Sequence, residues 1–286
     1  MNHQKVRLDP GLHFVATPIG TARDITLRAL DVLASADMIA AEDTRSLRHL
    51  MDIHGVPLAG RRVLSYHDHS GAGARRKLLD ALGAGQSVAY ASEAGMPLIA
   101  DPGFDLARAA AEAGARVTVA PGPSAVLAAL TLAGLPTDAF FFAGFLPNAK
   151  AARRTRLEAL RAVPGTLVFY ESPKRVAASL ADMAEVLGAG RAAALCRELT
   201  KKFEEVRRGS LSELAASVAE EKVRGEIVLV VDRGDSETVR DSTIEEDLRV
   251  ALARESMRDA ADLVARMHDV PRRKVYQMAL ELTKDG

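Results

Sequence analysis

Short apolar runs alternate with amphipathic stretches from residue 12 to residue 231. Leu12-His13-Phe14-Val15-Ala16 reads as a strand, and Asp24 as the N-cap of a helix with Ile25, Ala29, Leu30 and Leu33 on one face. Further strands are predicted at 38–41, 63–66, 88–91 and 117–119, with helical segments between them, one at 105–113. Strands alternating with helices of this length argue for a mostly parallel sheet covered by helices on both faces. Pro121-Gly122-Pro123 is the strongest punctuation in the chain and marks a domain boundary. Beyond it the pattern predicts a helix at 124–133 and strands at 139–143, 166–170, 193–196, 206–210 and 227–231. The strands around Cys196 and Val206 are joined by a charged stretch too short for a helical crossover, so they should pair antiparallel.

Residues 233–241 are polar, contain Gly234 and suit a linker. Three helical patterns follow. Thr243 and Glu246 form a capping box ahead of Ile244, Leu248 and Leu252, and Ser256 with Asp259 starts a second helix ahead of Leu263, Val264 and Met267. Pro271 suits the first turn of a third, whose Val275, Met278, Ala279 and Leu282 share a face. With the tight His268-Asp269-Val270 connection these helices resemble a helix-turn-helix unit. The expected class is α/β: one α/β domain over 1–121, a second over 122–234, and a small helical unit over 241–286.

Composition sets limits on function. The chain of 286 residues is 48% hydrophobic and 27% charged, enough for a real core, and its formal net charge of +0 steers it globally toward neither nucleic acid nor membrane. Its single cysteine, Cys196, rules out a disulfide framework and reads as a small apolar strand residue. Residues 1–10 lack the apolar core of a secretion signal, and no run approaches the ~18 apolar residues of a membrane span. A cytoplasmic location is expected.

Four loops stand out because each follows a strand, the end of an open parallel sheet at which ligands bind. Thr17-Pro18-Ile19-Gly20 follows the first. The second is long and acidic, Ser92-Glu93-Ala94-Gly95-Met96-Pro97-Leu98-Ile99-Ala100-Asp101-Pro102-Gly103. Gly95 permits close backbone approach to a ligand, and Glu93 and Asp101 can accept hydrogen bonds from an amine or a ribose. No phosphate-binding glycine motif is present. In Pro121-Gly122-Pro123-Ser124-Ala125, Ser124 caps a helix whose free N–H groups can also meet a carboxylate. Tyr170-Glu171-Ser172-Pro173-Lys174-Arg175 sets an acid beside two bases. Glu42-Asp43-Thr44-Arg45 ends another strand, with Asp43 a helix cap. Tyr66-His67-Asp68-His69 lacks an obvious third and fourth ligand, so hydrogen bonding is favoured there over metal binding.

Basic residues cluster locally. Lys150, Arg153, Arg154, Arg156 and Arg161 face one acid, Glu158, on a predicted helix, and Arg266, Arg272, Arg273 and Lys274 crowd the start of the last one. Such a helix is either a solvated face or a contact for a phosphate backbone. Aromatic content of 4% with no Trp argues against an extended base-stacking platform.

Taken in order, these stretches, with Asp24-Ile25-Thr26-Leu27-Arg28-Ala29-Leu30, Gly134-Leu135-Pro136-Thr137-Asp138, Gly144-Phe145-Leu146-Pro147, Phe169-Tyr170-Glu171-Ser172-Pro173 and Arg197-Glu198-Leu199-Thr200-Lys201, resemble the tetrapyrrole methylase superfamily. More narrowly they resemble its ribosomal RNA small subunit methyltransferase I group. The resemblance implies two α/β domains with S-adenosylmethionine in the cleft between them, a homodimer, and methylation of a cytidine ribose 2′-hydroxyl in the decoding region of 16S rRNA. It implies donor contacts at Pro18, Ile19 and Gly20, at Glu93, Ala94, Gly95 and Met96, at Ser124 and Ala125, and at Tyr170. Where the group usually reads Ser-Asp-Ala-Gly-Thr this chain reads Ser-Glu-Ala-Gly-Met, so Glu93 keeps the charge on a longer arm and Met96 loses a hydroxyl.

Methyl transfer from a sulfonium to a hydroxyl requires in-line alignment, exclusion of water and removal of a proton. Glu171 or Glu93 is the expected proton acceptor, and Lys174 or Arg45 the stabiliser of oxyanion character. Arg153, Arg154, Arg156, Arg272, Arg273 and Lys274 are the expected RNA contacts, with the small ribosomal subunit as partner and no metal. Two alternatives stand beside this reading: a tetrapyrrole methylase of the same fold, and a non-enzymatic nucleic-acid-binding protein.

Overall fold

Strand β1 (Gly11–Val15) is buried along its whole length, so it needs helices above and below it. The structure, a computed structural model, describes residues 2–67, 72–100, 103–219, 223–234, 236–268 and 270–283. Its first sheet holds β1, β2 (Met38–Ala41), β3 (Val63–Ser65), β4 (Ser87–Ala91) and β5 (Val117–Ala120) in the order β3-β2-β4-β1-β5, every pair parallel. Alternation along β1 divides the core. Val15 meets Leu30 and Leu33 of α1 (Leu27–Ser35) and Met51 of α2 (Thr44–Ile53). Leu12 and Phe14 meet Leu78 of α3 (Ala72–Gly83) and Leu106 of α4 (Phe104–Glu112) on the other face. The connections leaving β1 and β4 run to opposite edges of the sheet, toward β2 and β5. That reversal opens a crevice beyond the carboxyl ends of β1 and β4.

The second sheet follows α5 (Ala125–Ala133) and holds β6 (Phe140–Phe145), β7 (Thr166–Glu171), β8 (Ala192–Arg197), β9 (Glu205–Ser210) and β10 (Ile227–Val231). Its order is β6-β7-β10-β8-β9; β6 and β7 are parallel and the other pairs antiparallel. The expected antiparallel pair is present, with Cys196 opposite Val206. Ile227, Leu229 and Val231 face α6 (Lys150–Arg161), α7 (Val176–Leu187) and α8 (Leu211–Ala219), while Val228 and Val230 face α5. Cys196 is fully buried and burial pushes its thiol up to about 11, which makes it inert packing. A third core, with Ile244, Leu248, Val264, Val275 and Ala279, joins α9 (Ser236–Leu252), α10 (Met257–Met267) and α11 (Arg272–Leu282). Among the described residues no helix is long and apolar enough to cross a membrane.

Several local expectations need correction. Asp24 lies in a single 3-10 turn, and Thr26 caps α1 by accepting from the amide of Ala29 at 3.2 Å. Helix α9 starts at Ser236, inside the stretch read as linker, so Thr243 sits within a helix instead of capping one. Pro271 is the N-cap of α11, while Ser256 caps α10 as expected. Asp68, His69, Asp101 and Asp269 lie outside the described residues.

Arg153 is the largest correction. It is 6% exposed; its Nε donates to Asp182 Oδ2 on α7 at 2.7 Å and its Nη1 to the carbonyl of Asn148 at 3.0 Å. It pins α6 to α7 and is withdrawn from any RNA surface. Removing one member of a buried pair leaves the other charge uncompensated, so Arg153→Met should destabilise the fold by about 3–5 kcal/mol in denaturant unfolding. Adding Asp182→Leu should recover much of that loss. An unchanged unfolding midpoint for Arg153→Met would return the residue to the surface.

Candidate active site

One side chain from the first half is buried in the core of the second. Ile19, in the loop after β1, is 8% exposed and packs among Val126, Ala129, Leu130 and Leu199. Its neighbours are fixed by backbone pairing. Thr17 and Gly95 exchange both hydrogen bonds, at 3.1 and 3.0 Å, and Ser92 Oγ donates to the carbonyl of Gly95 at 2.6 Å. Gly95 has φ +82°, and a Cβ there would lie 3.2 Å from Ile19 Cγ2 and 3.4 Å from the carbonyl oxygen of Pro123. Three strand-end loops therefore meet around one glycine, and only glycine fits both the conformation and the space. Beyond it, Leu98 and Ala100 hold left-handed backbone at φ 71° and 56°. Such strain persists only where surroundings enforce it, and it concentrates at functional sites.

The loops enclose a cleft of about 470 Å³ between the two sheets, within the size range of small-molecule sites. Ile19, Met96, Ala125, Phe145 and Val228 give it apolar walls; Glu42, Glu93 and Glu226 add carboxylates. Tyr170 stacks edge-on against Phe142 and Phe145, with ring centroids 4.9 and 5.7 Å away. Ser124 caps α5, its Oγ accepting from the amide of Leu127 at 3.5 Å. The carboxyl of Glu93 is held above the usual carboxylate range, first by desolvation and then by the charges of Glu42, Asp43 and Glu226. Desolvation and neighbouring acids together disfavour the charged form of Glu93, and the gathered carboxylates suit the cleft to a cation.

The sequence-derived donor set separates into wall and support. Ile19, Glu93, Ala94, Gly95, Met96, Ser124, Ala125 and Tyr170 line the cleft. Pro18 and Gly20 flank Ile19 outside the lining, and a Cβ on Gly20 would meet Thr200 Oγ1 at 2.4 Å. Glu171 reaches the wall, yet its carboxylate is committed: Oε1 accepts from the amide of Ser172 at 2.8 Å and Oε2 from Ser179 Oγ at 2.5 Å. With Arg175 Nε 3.5 Å away and 1% side-chain exposure, it braces the turn. Lys174 and Arg45 are exposed and outside the lining, which corrects the expectation of an oxyanion role.

Among the expected RNA contacts other than Arg153, Arg154 pairs with Glu185 at 2.6 Å, Arg156 and Arg273 are exposed, Arg272 pairs with Asp262, and Lys274 is half-buried. Phe145, Glu226 and Val228 also line the cleft, beyond the residues expected from the sequence. Phe145 lay within a quoted motif, whereas Glu226, just before β10, and Val228 within it follow no recognisable loop pattern.

Glu93→Gln tests the electrostatics without any ligand. Because the folded-state pKa is raised, the penalty of charged Glu93 is absent in acid and develops as pH rises through that pKa. The variant should therefore melt at a higher temperature than the parent at neutral pH and at the same temperature in acid. A lower melting temperature at neutral pH would contradict the strain.

Comparison with known proteins agrees with this geometry. Residues 11–215 match the Tetrapyrrole (Corrin/Porphyrin) Methylases family, and residues 239–283 match the RsmI C-terminal HTH domain. The chain is similar to Ribosomal RNA small subunit methyltransferase I of Mesorhizobium japonicum, 49% identical over 96% of this chain and 93% of the relative. It is also similar to the protein of that name from Escherichia coli O157:H7, 43% identical over 98% of each. Its fold is shared with uroporphyrin-III C-methyl transferase from Thermus thermophilus, solved in complex with S-adenyl homocysteine, at TM-score 0.54 and 20% identity over 78% of this chain and 97% of that one. Two sheets meeting at an acidic cleft, a helical tail and full-length similarity place this chain in the ribosomal RNA small subunit methyltransferase I family of S-adenosylmethionine-dependent methyltransferases.

Proposed function

We propose that this chain methylates the ribose 2′-hydroxyl of a cytidine in the decoding region of 16S rRNA, acting on the small ribosomal subunit in the cytoplasm as a homodimer. The observation that carries the reading is the acid-lined, nucleoside-sized cleft built from both sheets, in a chain alike over nearly its whole length to proteins named for small-subunit rRNA methylation. Edge strands support the homodimer: β6 exposes Phe140 and Phe141, and β5 exposes Val117 and Val119, apolar surface that a second copy would cover.

The cleft suits the donor chemically. Ile19, Met96, Ala125 and Val228 offer apolar contact, Glu42, Glu93 and Glu226 face positive charge, and the N-terminus of α5 at Ser124 offers free amides to a carboxylate. S-adenosylmethionine, when bound, supplies a methyl group on a positively charged sulfur. The chain's own task is to orient the ribose oxygen, exclude water and take up the hydroxyl proton. Glu93 is assigned the proton, since its carboxylate lines the cleft and its raised pKa suits a base. Lys174, adjoining the lining residue Pro173, and Arg45, three residues beyond Glu42, are assigned to RNA phosphates at the rim.

Small subunits from a strain lacking this modification, incubated with the protein and labelled donor, should gain one methyl group on a cytidine ribose of the decoding region. A methyl on a base, or methylation of a uroporphyrinogen with none on the subunit, would overturn the reading. Donor affinity in calorimetry should fall as pH drops through the raised pKa of Glu93, and Glu93→Gln should flatten that dependence. A parallel fall in the variant would remove Glu93 from donor recognition.

A further inference from the structure

The turn joining β8 to β9 lies outside the cleft wall but is fastened to two segments that contribute to it. On one side Thr200 Oγ1 accepts from the amide of Thr21 at 3.3 Å, Gly20 packs against Thr200, and Leu199 is buried beside Ile19. On the other, Glu198 Oε1 accepts from the amide of Glu226 at 2.9 Å and from Lys201 Nζ at 3.0 Å. Lys201 Nζ also reaches Glu226 Oε2 at 3.0 Å, and a Cβ on Gly225 would lie 2.5 Å from the Glu198 carboxyl. Both Glu198 and Thr200 hold left-handed backbone, at φ 51° and 61°. Strained residues clamped on both sides make a rigid support.

What this support carries is Lys202 and Phe203. Phe203 is 62% exposed, and Lys202 Nζ lies 5.5 Å from its ring centroid. Two more exposed cations lie in or next to the two fastened segments: Arg23, two residues beyond Thr21, and Arg224, beside the lining residue Gly225. The acids there are engaged, Glu204 by the amide of Thr200 at 2.6 Å and Glu226 by Lys201. A phenyl ring held in water gains nothing from folding. With cations around it, it has the composition that receives an unstacked base while the backbone is held by charge. A ribose within a stacked strand cannot enter a cleft unless its neighbours are splayed, so a stacking partner is needed at the rim.

We infer that Phe203, braced by Lys202, stacks on an RNA base next to the methylated nucleotide, and that Arg23, Lys202 and Arg224 hold the flanking phosphates. This rests on the RNA reading above. The test compares the full-length parent with Phe203→Ala, Phe203→Leu and Phe203→Tyr, measuring KM and kcat on unmethylated small subunits and donor Kd by calorimetry. Losing one base–ring stack should raise KM for the subunit roughly 5- to 150-fold in the Ala variant. Leu, apolar but without a π-face, should behave like Ala; Tyr should restore the parental KM; donor Kd should not change. Lys202→Met should lower the salt dependence of 1/KM by about one phosphate contact. A parental KM in the Leu variant, or a donor Kd that worsens in step with KM, would overturn the stacking role. A parent protein that methylates no subunit would instead overturn the substrate reading, and this contact with it.

Discussion

Ile19 ties the two halves of the cleft together. Two sheets that share no strand must be held with their strand ends face to face, and the loop after β1 does this by burying one isoleucine among α5 and Leu199. Burial of such a side chain contributes about 1.5–3 kcal/mol, a modest sum whose leverage comes from position. The residues around it follow from that insertion. Gly20 leaves room where a Cβ would collide, Gly95 supplies a left-handed backbone where a Cβ would be tight, and the Thr17–Gly95 bridge ties the loop after β1 to the loop after β4. The same insertion sets Met96, Ser124 and Val228 around one space.

Electrostatics then gives that space its character. A chain with formal net charge +0 has no global preference, yet Glu42, Glu93 and Glu226 line the cleft, and desolvation, followed by the charges of Glu42, Asp43 and Glu226, raises the proton affinity of Glu93. Stability is given up locally for complementarity to a cation, a usual compromise at functional sites. Arg23, Lys202 and Arg224, in segments that adjoin the cleft loops, are exposed. The acidic interior suits a cationic donor, and exposed cations in the adjoining segments suit the polyanionic acceptor inferred above.

Strands and loops were legible because their signals are local. Short continuous apolar runs located β1, β4 and β10, and the Gly- and Pro-rich stretches at strand ends marked the donor loops. What was illegible depended on distant partners. Arg153 read as a surface cation until Asp182, twenty-nine residues along, buried it. Glu171 read as a base until Ser179, in the first turn of α7, took one of its oxygens. Glu226 carried no signal because its place in the cleft comes from pairing of β10 with β7 and β8, not from its neighbours in sequence. Helix α9 overran the polar stretch read as a linker because hydrophilicity does not forbid a helix.

Hydrogen–deuterium exchange of the full-length protein, with and without S-adenosylhomocysteine, addresses the shared cleft most directly. Ligand should slow exchange together at residues 17–20 and 93–96 from the first sheet and at 124–128 and 225–228 from the second. Protection confined to one of these halves, or absent from all four segments at saturating ligand, would contradict a donor site built from both.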